Sequence, residues 1–210
     1  MTAHFGLDIG SYSIKLVEGE KKGKEWRLVT FGEAKTPVDI NSDAPKDKVA
    51  LSETIKKLCQ SCRVTTKNVV FSLSETEVFS QVIELPYFND AELATAINFE
   101  AEQYIPVPLD EVQLEYLVLK RPPKGSSEKM EVLLVGAKKR ILEKKVEILE
   151  AAGLIPKAAE TETLALIRCL EKSNKGVYFV VDLGFRSTDL MIVLDGVLKF
   201  VRTIPSGGEA

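Results

Sequence analysis

Two stretches of the sequence share one pattern of residue types. Asp8-Ile9-Gly10-Ser11-Tyr12-Ser13 and Asp182-Leu183-Gly184-Phe185-Arg186-Ser187 are both D-x-G-x-x-S; each follows a short apolar run and leads into another. A tight turn between two strands aims several backbone N–H groups at one point and so binds an anion. Glycine lets the backbone approach that anion and take φ > 0 without a Cβ clash. Ser11, Ser13, Ser187 and Thr188 add hydroxyl donors. Asp8 and Asp182 repel a phosphate directly, so they make sense only with a divalent cation in between, and Mg2+ keeps its water in such sites. The chemistry indicated is a polyphosphate gripped through a metal. A single D-x-G is common turn chemistry, but two copies in one strand–turn–strand context favour the phosphate reading. A Walker or Rossmann loop fits less well, because its turn must open a helix, and G-x-x-x-x-G-K-[ST] is absent.

The remaining reactive side chains carry less. Cys59 and Cys62 form a C-x-x-C, but they close the periodic stretch Leu51, Ile55, Leu58, Cys62 and so fall in a last helical turn. A thioredoxin-like dithiol needs its first cysteine at a helix N-terminus, where the dipole lowers the thiol pKa. A zinc site needs two further ligands, and His4 is the one histidine of the chain. Both cysteines are read as ordinary helix-end thiols. Three cysteines, an odd number, fit a reducing compartment.

The 210 residues are 45% hydrophobic and 28% charged, enough for one large or two small domains with a real core. A net charge of −3 supplies no basic face, so nucleic acid is not an expected partner. No apolar run approaches the roughly 18–20 residues that span a bilayer. Met1 to Gly6 lacks the basic and apolar regions of a signal peptide. The expectation is a cytoplasmic chain that reaches a membrane only through a partner.

Both turns need strands to hold them, and the patterning supplies these. Residues 5–9 are a short apolar run, 14–18 alternate and 26–34 are strand-like, with 19–24 as the hairpin turn between the last two. A helix over 48–62 and a strand over 69–73 follow. Residues 77–154 read as a unit of their own. Strand 78–85 leads to a helix opened by Asn89-Asp90-Ala91-Glu92, a capping-box start, with Leu93, Ile97, Ala101 and Tyr104 on one face. Strands 112–120 and 130–137 come next, then a helix carrying Leu142, Val146 and Leu149 that ends at Gly153. That order makes a small α+β domain with its helices on one face of the sheet. In the last third, 162–170 is apolar nearly all round and is expected to be buried, as is strand 178–181. Asp195-Gly196 joins 190–194 and 197–203 as a hairpin. The two D-x-G-x-x-S copies thus look like one duplicated element placed in two similar sheets.

Paired Asp-x-Gly hairpins, the second preceded by a buried helix, resemble the phosphate-1 and phosphate-2 motifs of the actin, heat-shock-70 and sugar-kinase superfamily, which flank Mg-ATP. Within it, three stretches are similar to the PilM family of type IV pilus assembly. They are Gly6-Leu7-Asp8-Ile9-Gly10-Ser11-Tyr12-Ser13-Ile14-Lys15, Glu100-Ala101-Glu102-Gln103-Tyr104-Ile105-Pro106-Val107-Pro108-Leu109-Asp110-Glu111-Val112, and Arg202-Thr203-Ile204-Pro205-Ser206-Gly207-Gly208-Glu209. The middle stretch is the most specific. The resemblance implies an α/β fold: a ribonuclease H-like, actin-type ATPase domain (1A, residues 1–76 plus 155–210) with an inserted small α+β domain (1C, residues 77–154), the second lobe being absent. It implies ATP and Mg2+ as cofactors. Asp8, Gly10, Ser11, Tyr12, Ser13 and Lys15 would contact the nucleotide from the first turn, and Asp182, Gly184, Ser187 and Thr188 from the second; Asp8 and Asp182 would serve the metal. Glu162 opens a helix that resembles the superfamily's connecting helix and is the candidate to face an attacking water. A solvated first-turn Glu is the equal alternative.

The resemblance also implies a partner. PilM-like proteins capture the N-terminal cytoplasmic tail of PilN, a single-span inner-membrane protein, between 1A and 1C. That would hold this chain at the inner-membrane face, with other pilus-assembly proteins as further partners. An FtsA-like cell-division adaptor and a sugar-kinase-type phosphotransferase are the alternatives. The chain stops at Ala210, just after Gly207-Gly208, where the family continues into a second lobe with the adenosine motif. It therefore reads as a fragment with weakened ATP affinity. For catalysis, the resemblance allows a weak ATPase in the full-length protein and implies an inactive fragment.

Overall fold

A computed structural model describes residues 3–170 and 175–209. In chain order the elements begin with β1 (Phe5–Ile9), β2 (Ser13–Lys22), β3 (Glu25–Lys35), α1 (Pro45–Ser61), β4 (Asn68–Leu73) and β5 (Val78–Leu85). Then come α2 (Asp90–Ala101), β6 (Val112–Lys120), β7 (Met130–Lys138), α3 (Lys139–Ala151) and β8 (Ile155–Thr161). The last are α4 (Glu162–Leu170), β9 (Val177–Leu183), β10 (Thr188–Leu194) and β11 (Val197–Ile204). Two compact units result: Met1–Ser74 with Leu142–Glu162, and Glu75–Ile141 with Thr163–Ala210.

The first unit is built on a five-stranded sheet of order β3-β2-β1-β4-β8. β1, β2 and β3 form an antiparallel meander, while β4 pairs in parallel with β1 and β8. Strand alternation turns Phe5, Leu7 and Ile9 of β1 and Val69, Phe71 and Leu73 of β4 into the core, and α1 adds Leu51, Ile55 and Leu58 at helical spacing. The end of α1 comes down on a glycine: a Cβ at Gly32 would lie 2.2 Å from Cys62 Sγ. The β2–β3 hairpin is longer than its sequence suggests. Pairing continues past a bulge after Glu18 to Lys22 opposite Glu25, so the turn shrinks to Gly23-Lys24, with Gly23 at φ 63°. Gly19 stays inside the strand, where a Cβ would stand 3.4 Å from the Trp26 ring.

β8 escapes sequence reading. Ile155-Pro156-Lys157-Ala158-Ala159 has a proline and no alternation. As the edge strand of the sheet it tolerates proline, because one side of an edge needs no donor. The ladder shifts register beside it, between Val69 and Val70.

The second unit contains two antiparallel sheets, β5-β7-β6 and β11-β10-β9. α2 packs Leu93, Ile97 and Ala101 on Ile83, Leu85, Val132 and Leu134. Its capping box forms: Asn89 Oδ1 accepts from the Glu92 N–H at 3.0 Å, and Glu92 Oε2 from the Asn89 N–H at 2.8 Å. β10 and β11 meet at Asp195-Gly196, whose φ angles of 50° and 80° are those of a tight two-residue hairpin. Leu133, Ile167, Met191, Val193 and Leu198 form a second apolar cluster.

Three expectations are corrected. The helices of residues 77–154 do not share one sheet, because α3 from Leu142 onward belongs to the first unit. There Lys48 Nζ donates to Glu147 at 2.6 Å and Lys144 Nζ to the Ile40 carbonyl at 2.9 Å. α4 is not buried all round: Thr163 and Ile167 are buried, but Cys169 is exposed, since among the described residues one apolar cluster covers it. β9 is an edge strand with Val177, Phe179, Val181 and Leu183 exposed. A continuous apolar run cannot reveal which of its faces is covered.

Candidate functional site

The two D-x-G-x-x-S turns adopt one local structure. In the first, β1 and β2 remain paired up to Ile9 opposite Ile14, and the Gly10 N–H donates to the Ser13 carbonyl at 3.1 Å. In the second, β9 and β10 remain paired up to Leu183 opposite Thr188, and the Gly184 N–H donates to the Ser187 carbonyl at 2.9 Å. A Cβ on either glycine would lie 2.9 Å from that carbonyl oxygen. Neither glycine has a positive φ, which corrects the expectation of left-handed backbone. What the turn requires at this position is space.

In each turn two carbonyl oxygens, which would repel a phosphate, accept from the segment just beyond the third strand of the meander. Thr36 follows β3; its hydroxyl donates to the Gly10 carbonyl at 2.7 Å and its N–H to the Tyr12 carbonyl at 2.9 Å. Gly208 and Glu209 lie beyond β11, and their N–H groups donate to the Gly184 and Phe185 carbonyls, both at 2.9 Å. Gly207 allows this approach, since a Cβ there would fall 2.5 Å from the Gly184 oxygen. Thr188 is tied into the same segment, its hydroxyl donating to the Ser206 carbonyl at 2.7 Å. Ser11 and Ser187 are half-buried, Ser13 is buried and Tyr12 is exposed.

The acids differ between the copies. Asp8 is the penultimate residue of β1 and lies opposite Lys15, whose Nζ stands 3.9 Å from Asp8 Oδ2. Asp8 Oδ1 accepts from the Ser72 hydroxyl at 2.7 Å, and the Ser72 carbonyl accepts from the buried Lys145 of α3 at 3.1 Å. In the second copy, Asp182 stands opposite Asp189, a like charge where the first copy has lysine. Burial pushes the Asp189 carboxyl up, the Thr203 hydroxyl at 2.5 Å pulls it back, and Asp182 raises it further. Asp8 lies in the first unit and Asp182 in the second. Among the described residues no group of three or more His, Cys, Asp or Glu side chains is placed to hold a metal.

Glu162 is the first residue of α4 and is half-buried. The thiols fit the plain reading: burial, with Cys62 adding to it, pushes Cys59 up to about 11, the opposite of an activated thiolate. Sequence reasoning missed Thr36, Ser72 and Lys145. They reach the first turn from three other elements, so no local pattern marks them. Gly207 carried a visible signal, a glycine pair just past a strand.

The sequence profile described as type IV pilus assembly protein PilM matches residues 6–210. The chain belongs to this PilM family. Its fold is that of the actin-like ATPases. Among solved structures, the PilM–PilN type IV pilus biogenesis complex is similar at TM-score 0.86 and 28% identity, over 99% of this chain and 63% of that one. The chain thus spans less than two thirds of that relative's length. The cytoplasmic domain of EpsL, an inner membrane component of the type II secretion system of Vibrio cholerae, matches at TM-score 0.60 and 12% identity, over 97% and 71% of the two chains. The ethanolamine utilization protein EutJ of Carboxydothermus hydrogenoformans matches at TM-score 0.53 and 16% identity, over 97% and 52%. At those identities the last two speak for the fold alone. No helix among the described residues is long and apolar enough to cross a membrane.

Proposed function

We propose that this chain is the nucleotide-responsive scaffold of a pilus-assembly complex, binding Mg-ATP through the two turns and a PilN-type N-terminal tail through its inserted domain. The observation that carries the nucleotide reading is the repeated turn. Both copies share the Gly N–H to Ser carbonyl bond, the excluded Cβ and two capped carbonyls, and a tight turn of this kind suits an anion. In this reading Gly10, Ser11, Tyr12, Ser13 and Lys15 hold one part of the polyphosphate, and Gly184, Ser187 and Thr188 another. Asp8 and Asp182 take Mg2+ through its water shell, and Glu162 faces a water. Bound Mg2+ would neutralise phosphate charge; the chain's own residues orient the tail and fix Asp8 through Ser72.

Residues 1–76 with 155–210 act in this proposal as subdomain 1A and residues 77–154 as the inserted 1C. The partner reading draws on the family and on the PilM–PilN relative. A tail of that kind would hold the protein at the cytoplasmic face of the inner membrane. ATP alters tail affinity only if it binds the tail-competent conformation better than the alternative.

Calorimetric titration with Mg-ATP, with and without a PilN N-terminal peptide, tests both parts. Ser72→Ala is expected to weaken Mg-ATP binding by about tenfold, because it frees the carboxylate that serves the metal, while leaving peptide binding intact. Nucleotide affinity indifferent to Ser72→Ala, Gly10→Ala and Gly184→Ala alike would remove the turns from the site.

A further inference from the structure

The β2–β3 hairpin runs on past the sheet that carries it. β1 pairs with β2 only as far as Glu18, whereas β2 and β3 stay paired to Lys22 opposite Glu25. Residues 19–28 therefore form a two-stranded ribbon that extends about 13 Å beyond β1. Every residue from Lys21 to Val29 is exposed. The bulge after Glu18 decides what each face of this ribbon carries. Thr30 and Gly32 face α1: the Thr30 hydroxyl donates to the Cys62 carbonyl at 2.8 Å, and Gly32 lies under Cys62 Sγ. Regular alternation would put Leu28 and Trp26 on that same face. The extra residue, Val29, turns them to the other one, opposite Gly19 and Lys21.

The two faces of the ribbon differ in chemistry. On one, Trp26 is 61% and Leu28 56% exposed, the Trp26 ring lies over Gly19, and Lys21 is the cross-strand neighbour. On the other, Glu20 pairs with Lys22 at 3.4 Å and with Arg27 at 2.6 Å, and Glu25 stands opposite Lys22. Both acids of the ribbon thus share a face with two of its cations. Residues 19–28 hold four cations and two acids in a chain of net charge −3, so the excess positive charge, Lys21 and the turn residue Lys24, goes with tryptophan and leucine. A projecting ribbon is convex and narrow, whereas a stable protein interface takes about 800 Å2 from each partner. A bilayer surface yields to such a shape. Tryptophan favours the headgroup level, lysine stems let the ammonium reach headgroup phosphates, and an anionic leaflet attracts the excess charge. We propose that the face bearing Trp26, Leu28 and Lys21, with Lys24 at its tip, docks on an anionic lipid bilayer, Trp26 entering the headgroup region. The contact is reversible, because stable anchoring takes more than one such signal. It rests on neither the nucleotide nor the partner proposal. The first D-x-G-x-x-S turn lies at the far end of β2, about 30 Å away, so docking leaves it open.

Trp26 is the single tryptophan of the chain, and its fluorescence reports the contact directly. With vesicles of phosphatidylglycerol and phosphatidylcholine in equal parts, emission should shift to the blue and be quenched by lipids brominated on their acyl chains. Phosphatidylcholine vesicles should bind at least about tenfold less, and added salt should release the protein from the mixed ones. Lys21→Glu with Lys24→Glu should cut cosedimentation with mixed vesicles by about tenfold or more, leaving thermal unfolding and far-UV circular dichroism unchanged. Trp26 emission unmoved by mixed vesicles overturns the proposal. Equal binding to phosphatidylcholine vesicles does so as well, as does full binding by the doubly substituted chain. A blue shift with soluble polyglutamate and none with vesicles would assign the face to an acidic protein, which also overturns it.

Discussion

Gly10 and Gly184 leave no room for a side chain, since the Cβ of any other residue would press on a serine carbonyl at 2.9 Å. Gly10→Ala and Gly184→Ala should each cost about 2 kcal/mol, the scale of overpacking. That is a loss of roughly 4–8 °C in Tm by calorimetry for a chain of this size. A neutral result would show that the turn yields. The importance of these glycines was legible in the D-x-G repeat, although the reason is space and not handedness. Ser72 and Lys145 were not legible, because only the parallel β1–β4 pairing and the packing of α3 bring them to Asp8.

The buried acids give a second residue-scale prediction. Glu75 and Asp189 are both pushed above the ordinary carboxylate values of 4.5 and 3.8, burial being the first cause in each. The folded state then holds these protons more tightly than the unfolded chain. Their favourable contribution is complete below the ordinary values and is lost as pH rises through the raised ones. Glu75→Gln should therefore stabilise the chain at neutral pH, and the gain should vanish in acid below the ordinary carboxylate value. Urea denaturation across that range checks the slope. A gain that persists unchanged in acid would mean that charge is not its source.

Among the elements, α2 shows sequence rules acting without interference. Asn89 and Glu92 exchange hydrogen bonds as their types and spacing predict, and Leu93, Ile97 and Ala101 form the buried stripe. Asn89→Ala removes the cap and should cost about 1 kcal/mol. Far-UV circular dichroism during urea unfolding measures this, and an unchanged midpoint would show that packing alone holds the helix. The same local logic gave the Asp195-Gly196 hairpin, where both residues need positive φ. It failed at β8, because edge position excuses a proline that local propensity forbids. It also failed on the exposure of β9, which follows from the absence of a neighbour on one side among the described residues.

For the molecule as a whole, the unusual feature is the open face of the β11-β10-β9 sheet. Val177 is 71% exposed, Phe179 65%, Val181 52% and Leu183 68%, and all lie at alternate positions of one edge strand. A contiguous apolar stripe on a strand that has no neighbour on one side among the described residues favours association. The chain should self-associate with rising concentration, and Phe179→Lys with Leu183→Lys should shift it toward monomer in light scattering. A monomer at all concentrations before substitution would contradict this. The order β11-β10-β9 repeats the order β3-β2-β1, so the duplication seen in six residues extends to a whole three-stranded meander.

The sequence alone determined the two turns, the actin-type α/β class, the capping box and most strands. Each of these depends on residues close together in the chain, where sterics and side-chain period act directly. Tertiary structure decided which distant groups surround those residues: Ser72 and Lys145 at Asp8, Asp189 opposite Asp182, and Glu75 beside Ser80 and Thr163. Contacts between residues far apart in the chain follow from strand order, register and packing, and no local pattern of residue types encodes them.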